Sequence, residues 1–426
     1  MNSGPGLTNG THTSIDALEP PTPHADLPLR IRRLGSYCVL SLDGGGYRGY
    51  ASLLMLRRIL RPLVDSPTKR IYPYQYFDLI CGTSTGGLIA ILLGVLHLDI
   101  DEAIKIYKDL AKTLFAGRWR WLRWLFRDER FSSRVLRSTM QEVLRKHGCE
   151  EMLMNDRNRD KGCKCFVTTA TKPRGSFPIR LIRSYPDPTR TGNQHPWSIL
   201  DAALATSAAP TYFRAHVVTH DRAIYRYEDA GVHGLNNPTI VAWDECELVF
   251  PCTDEVSERA HIILSLGTGL KRHDPLENYI PPSNWVLETL GNAFGVIGRI
   301  KALSKHLSHE ATKVDDRHGE MLRLTRKMKP SPYFRFSPDT DALGNISLSD
   351  SDATVRMENA VFSYSSSHQA ELDLCVNWLK AGCDLSENPF CDPSLLPVGE
   401  NIPTGLTSAV ITPDASISQG SSRQPT

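Results

Sequence analysis

Two glycine-rich turns hold the residues of this chain best suited to chemistry. The first, Gly44-Gly45-Gly46-Tyr47-Arg48-Gly49, follows the apolar run YCVLSLD. It satisfies G-x-G-x-x-G, the spacing with which a strand-to-helix turn cradles a dinucleotide pyrophosphate on backbone amides. The same amides can instead hold the oxyanion that forms during acyl transfer. The second turn, Cys81-Gly82-Thr83-Ser84-Thr85-Gly86-Gly87, places G-x-S-x-G between the runs FDLI and LIAILLGVL. That is the setting of a nucleophile elbow. Ser84 must there occupy a tight turn that exposes its hydroxyl, and glycines at 82 and 86 let the flanking backbone pass closely. The helix that follows points its positive end at developing negative charge.

A serine hydroxyl is a weak nucleophile until a base activates it, and the usual base is a histidine supported by an acid. His195, His216, His220, His233 and His261 follow Ser84 in the chain, and of these His233 comes nearest to a strand-end turn. A solvated or already hydrogen-bonded ring accounts for each without catalysis. The stretch Tyr227-Glu228-Asp229-Ala230-Gly231-Val232-His233-Gly234 is more informative, because a carboxylate ends an extended run and enters a turn of small residues. Asp229 is placed to accept a hydrogen bond from Ser84, although a carboxyl with an ordinary pKa of about 4 acts as a base only where burial or geometry helps it. An Asx-turn is the alternative use of the same side chain.

The elements that must position these residues alternate. Short β-branched runs (YCVLSLD, FDLICGT, KCFVTTATK, IRLIRSY, HIILSLGTG) are interleaved with helical stretches, which predicts α/β layering around a mainly parallel sheet. DEAIKIYKDLAKTLF, RWRWLRWLF and SSRVLRSTMQEVLRKHG predict helices that cover one edge or form a cap. NWVLETLGNAFGVIGRIKALSKHLS and DATVRMENAVFSYSSSHQAELDLCVNWLKAG complete the body as amphipathic segments. Residues 1–34 and 385–426 are rich in Pro, Thr, Gly and Ser and are expected to be disordered tails around one domain at 35–384.

Composition excludes several classes. A formal charge of +2 on 426 residues gives no argument for a nucleic-acid partner. The ten cysteines lack paired metal-ligand spacing, and the N-terminus lacks a secretory pattern, so reduced thiols in the cytosol are expected. The apolar run Leu88 to Leu98 is too short to span a bilayer. Arg118 to Arg127 concentrates Trp119, Trp121 and Trp124 on an apolar arc opposite Arg120, Arg123 and Arg127. That pattern suits either peripheral contact with lipid headgroups or a buried cap helix with a solvated arginine face.

Three stretches, in order, resemble the motifs of one family. Asp43-Gly44-Gly45-Gly46-Tyr47-Arg48-Gly49, Gly82-Thr83-Ser84-Thr85-Gly86 and Asp229-Ala230-Gly231 are similar to the D-G-G-G-x-R-G, G-x-S-x-G and D-G-[GA] blocks of patatin-like phospholipases. That group includes plant patatins and calcium-independent phospholipases A2. Ala205 to Phe213, Asn236-Asn237-Pro238 and Ser265 to Gly269 also resemble family segments, so the likeness runs from about residue 36 to 270. It implies a three-layer α/β fold with a mainly parallel central sheet flanked by helices, plus helical cap elements. It further implies a lipid acyl hydrolase with Ser84 as nucleophile, Asp229 as general base, and the amides of Gly44, Gly45 and Gly46 as oxyanion hole. No histidine, metal or cofactor is called for, and the expected partner is a lipid substrate, phospholipid above all. Acyl transfer to an alcohol other than water uses the same residues, and a non-catalytic lipid-binding protein of this fold is a further alternative. The dinucleotide reading, with Asp65 as its ribose acid, leaves Ser84 and Asp229 unexplained. Arg48 either binds a lipid phosphate through its guanidinium or braces the loop. Ala230 departs from the family's glycine, and it is strained there if the position needs a positive φ.

Overall fold

The computed structural model describes residues 37–115, 130–156, 163–171, 178–189, 195–210, 213–220, 222–250, 260–269, 316–326, 328, 331–338 and 354–383. The two tails, the segment 118–127 and the helix expected over 284–308 lie outside these residues.

Among the described residues, eight strands form one sheet: β1 (Tyr37–Leu42), β2 (Leu79–Thr83), β3 (Lys164–Thr171), β4 (Ile179–Arg183), β5 (His216–His220), β6 (Ala223–Asp229), β7 (Ala260–Leu266) and β8 (Tyr333–Phe336). Their order is β5-β6-β3-β2-β1-β7-β8, with β4 also paired to β3. The pairs β1–β2, β1–β7, β2–β3 and β7–β8 are parallel, and β3–β4, β3–β6 and β5–β6 are antiparallel. The expected parallel sheet is therefore the centre and one flank, while the other flank is antiparallel. β1 and β2 are buried along their whole length. Both faces are covered, which is why their sequences read as continuous apolar runs.

Helices cover the sheet. α1 (Gly49–Leu60) leaves the first glycine turn and α2 (Thr85–Ala90) leaves the second. They are followed by α3 (Ile100–Phe115), α4 (Arg130–Lys146), α5 (Ile199–Thr206) and α6 (Thr239–Val249). α1 is buried at ten positions because it lies under α3 and under α7 (Thr354–Ser367). The long amphipathic segment expected near the end of the domain is two helices, α7 and α8 (Gln369–Cys383), broken at His368. Leu88 to Leu98 is buried core, and no helix among the described residues is long and apolar enough to cross a membrane.

Cys38, Cys81, Cys149, Cys163, Cys165, Cys246 and Cys375 are buried free thiols. Burial pushes the Cys81 thiol up to about 12. It therefore offers no thiolate to compete with the serine three residues later.

Helical residues 316–325 place the His318 ring 3.0 Å from the Tyr333 hydroxyl. Burial, helped by the Arg335 cation, lowers its pKa from 6.5 to about 4. The unfolded chain thus takes up a proton near pH 6.5 that the folded chain resists down to about pH 4. The folded state should lose on the order of 1–2 kcal/mol as the pH falls through that window, after allowance for solvent screening. Melting temperatures at pH 7 and pH 4.5 check this: the drop should be smaller in His318→Gln than in the parent.

Candidate active site

Strand register brings the two chemical residues together. Thr83, at the end of β2, pairs with Thr168 of β3, and Asp229, at the end of β6, pairs with the next residue, Thr169. Phe166 pairs with β2 and β4 at once, and Thr169 with β4 and β6 at once. A strand has two edges, so β2 and β6 share one edge of β3 and β4 holds the other. β2 runs parallel to β3 and β6 antiparallel. The two chains meet end to end, with Ser84 and Asp229 at the junction.

Ser84 has φ 55 and ψ −125, a backbone that a side chain rarely adopts. Its surroundings enforce that conformation. A Cβ on Gly82 would run into the Gly86 carbonyl, and one on Gly86 would lie 2.5 Å from the Asp43 carbonyl oxygen. The Ser84 N–H donates to Thr206 Oγ1 at 3.1 Å, and that hydroxyl donates to the Thr168 carbonyl at 2.9 Å. Thr206, which sequence reasoning did not single out as functional, therefore ties the elbow to β3. Thr206→Val would strip both bonds from a buried site, at a cost of about 1–3 kcal/mol. Ester hydrolysis should fall more in kcat than in KM, because what is disturbed is the aim of Ser84; parallel kinetics and melting curves measure both.

Asp229 is 2% exposed. Its Oδ1 accepts the Gly231 N–H at 2.8 Å, and its own N–H donates to the Ala208 carbonyl at 3.0 Å. The Asx-turn is present, and it fixes the carboxylate at the start of the 3-10 turn Ala230–His233. Among the described residues, those other than glycine with a positive φ are Ser84, His97 and Arg222. Ala230 is not among them, so alanine is accommodated there without strain. A Cβ on Gly231 would lie 3.1 Å from Asp229 Oδ1 and 3.3 Å from Asn236 Oδ1.

The first glycine turn closes over this junction. A Cβ on Gly44 would lie 3.1 Å from Ser84 Cβ, which sets the turn against the Ser84 side chain. Asn236 clamps Gly44 twice: its carbonyl accepts the Gly44 N–H at 3.1 Å, and its Nδ2 donates to the Gly44 carbonyl at 3.0 Å. Thr268 Oγ1 donates to the same carbonyl at 2.8 Å. The Gly45 N–H donates to the Thr85 hydroxyl at 3.2 Å. Gly46, at φ 57, opens a 3-10 turn, where a starting N–H has no partner within its own helix. Tyr107 Oη anchors the Gly46 carbonyl at 2.6 Å.

Asp43, just before the turn, is 2% exposed and is held by Arg335 of β8, with Nη2 to Oδ2 at 2.6 Å. Burial raises its pKa, and Arg335 opposes that rise. Arg335 lies beyond the stretch of family likeness and was invisible in sequence. Arg48 is 1% exposed, so its guanidinium is enclosed by protein.

The histidines have other engagements. His233 Nε2 lies 2.8 Å from Glu228, His216 Nε2 lies 3.0 Å from Asp201, and His195 packs edge-on against Trp197. The side chains of His220 and His261 lie outside the described set. Asp65 is exposed beyond the far end of α1, about 18 Å along a twelve-residue helix from the glycine turn.

A serine in a strained strand-to-helix elbow, a buried carboxylate at its side and a glycine turn against it make up the geometry of a nucleophilic acyl-transfer site. Residues 40–243 match the family described as patatin-like phospholipase. The chain thus carries a patatin-like phospholipase domain over those residues. It is 26% identical to calcium-independent phospholipase A2-gamma of Oryctolagus cuniculus over 380 residues, 83% of this chain and 43% of the relative. It is 27% identical to the Homo sapiens protein of the same name over 313 residues, 70% of this chain and 34% of the relative. To the cGAMP-activated phospholipase of Escherichia coli it is 33% identical over 233 residues, 54% of this chain and 61% of the relative. The chain thus spans about a third to three fifths of the length of these relatives.

Proposed function

We propose that this chain is a lipid acyl hydrolase of the phospholipase A type. Ser84 Oγ attacks the ester carbonyl while Asp229 takes the hydroxyl proton. The tetrahedral oxyanion collapses, the alcohol leaves with that proton, and the fatty acyl group remains on Ser84. Water, deprotonated by Asp229, then attacks the acyl-enzyme, and the fatty acid departs as Ser84 recovers its proton.

The observation that carries this reading is the end-to-end meeting of β2 and β6 on one edge of β3, which sets a buried carboxylate beside a strained serine. The oxyanion is held at the Gly44–Gly46 turn, by the Gly46 amide foremost, because the Gly44 N–H donates to the Asn236 carbonyl and the Gly45 N–H to the Thr85 hydroxyl. The enclosed Arg48 suits a brace better than a headgroup ligand.

The test is incubation with a defined diacyl phospholipid in oxygen-18-labelled water, with products read by mass spectrometry. Free fatty acid carrying one labelled oxygen, together with lysophospholipid, supports hydrolysis. Transfer of the acyl chain to an added alcohol without labelled fatty acid would replace hydrolysis by transacylation, and no acyl product at all would contradict both.

Trp119, Trp121 and Trp124 are proposed to rest at the lipid headgroup boundary. Replacing the three together by alanine should lower liposome binding; unchanged cosedimentation removes them from that role.

A further inference from the structure

The β5–β6 hairpin rises from the rim on which the site lies. β3 ends at Thr171, which pairs with Tyr227, and Tyr227 pairs with His216. The remaining pairs, Val217↔Arg226, Val218↔Tyr225, Thr219↔Ile224 and His220↔Ala223, lie past the end of β3. Four residues of strand reach about 13 Å. β2 delivers Ser84 at this same carboxyl end, and β6 descends from the hairpin directly into Asp229. The hairpin therefore flanks the approach to the serine.

Its two faces differ. Side chains directly opposite one another in an antiparallel pair share a face. His216 and Tyr227 lie on the inner face, where His216 meets Asp201 of α5 and Tyr227 packs on Trp197 at 5.0 Å. Val217, Thr219, Ile224 and Arg226 lie on the outer face, and all four are exposed. Val217 is 48% exposed and Ile224 is 67% exposed, while α5 covers the base of the opposite side, on which Tyr225 is 39% exposed. The turn itself carries the exposed Arg222 at φ 62. Along 215–227 the sequence has Arg222 and Arg226 against one acid, Asp221.

β-branched apolar side chains at the rim of an active site, flanked by arginine, match the layering of an anionic bilayer surface: acyl chains inside, phosphates outside. We propose that this hairpin docks the enzyme on anionic phospholipid. Val217 and Ile224 enter the acyl boundary, and Arg222 and Arg226 meet lipid phosphate. The proposal rests on the hydrolase reading above, since an insoluble substrate must enter at this rim.

The test compares the full chain with Val217→Ser/Ile224→Ser and with Arg222→Asn/Arg226→Gln. Each is cosedimented with vesicles of phosphatidylcholine alone and of phosphatidylcholine with phosphatidylserine. A soluble short-chain ester reports the catalytic centre independently. The apolar pair should lose about tenfold in partitioning to both vesicles. The arginine pair should lose about fivefold or more on the phosphatidylserine vesicles and little on phosphatidylcholine alone. Cleavage of the soluble ester and melting temperature should match the parent in both. Parent-like vesicle binding by the folded apolar variant would overturn the proposal. So would a parent that binds neither vesicle, or one whose sedimenting mass falls on substitution, since the outer face would then meet a second copy. Absent soluble-ester cleavage in every protein, with vesicle binding still sensitive to the hairpin, would instead count against the hydrolase reading alone.

Discussion

Ser84→Ala protein is expected to release fatty acid at least about 10⁴-fold more slowly than the parent, with its melting temperature nearly unchanged. The expectation follows from the elbow: no other described residue stands at φ 55 between Gly82 and Gly86, against the glycine turn. Asp229→Asn should cost about 10²–10⁴-fold in kcat, the range for a lost general base. An asparagine Oδ1 can still accept the Gly231 N–H that Asp229 accepts at 2.8 Å. The turn should therefore survive, and the loss should be chemical. A comparable fall in both rate and melting temperature would mean that Asp229 is chiefly a cap.

Arg335→Met should cause the largest loss of stability. It would leave the Asp43 carboxylate, 2% exposed, without its 2.6 Å partner. Breaking a buried pair on one side costs about 3–5 kcal/mol. Burial already raises the pKa of Asp43, and removing Arg335 removes the group opposing that rise. A carboxyl with a raised folded pKa favours folding while protonated and opposes it as the pH climbs above the unfolded value. The variant should accordingly be least stable, relative to the parent, at pH 8 and closest to it near pH 5. Adding Asp43→Asn should recover much of the loss. Thermal melts of the two single variants and the double variant across that range test the coupling, and additive losses would show that the pair is not a unit.

The centre of the fold was legible because β1, β2 and β3 are buried on both faces and so carry short runs of apolar, β-branched and small residues, with a charge only at Lys164 where β3 begins. Of the hairpin only the end of β6, the extended run into Asp229, was legible; β5 and the start of β6 were not, because one face there is solvated and carries Arg226. β8 has only the four residues Tyr333–Phe336, too few for a periodic signal. The break at His368 was hidden because both halves of that segment keep an apolar stripe toward α1. At the site, Ser84 and Asp229 announce themselves through immediate neighbours. Asn236 and Thr268 lie in stretches of family likeness, yet nothing local tells that they hold the Gly44 carbonyl from 192 and 224 positions away, and Arg335, 292 positions from Asp43, lies outside the likeness altogether. Likewise, whether alanine fits at 230 depended on a backbone angle that composition does not encode.

The most direct test is intact-mass analysis of the folded chain after exposure to a fluorophosphonate ester. A single adduct that maps to Ser84, is absent from Ser84→Ala and forms much more slowly in Asp229→Asn is the predicted result. An adduct on another residue that persists in Ser84→Ala, or a folded parent that stays unlabelled even with lipid vesicles present, would contradict an activated serine at the junction of β2 and β6.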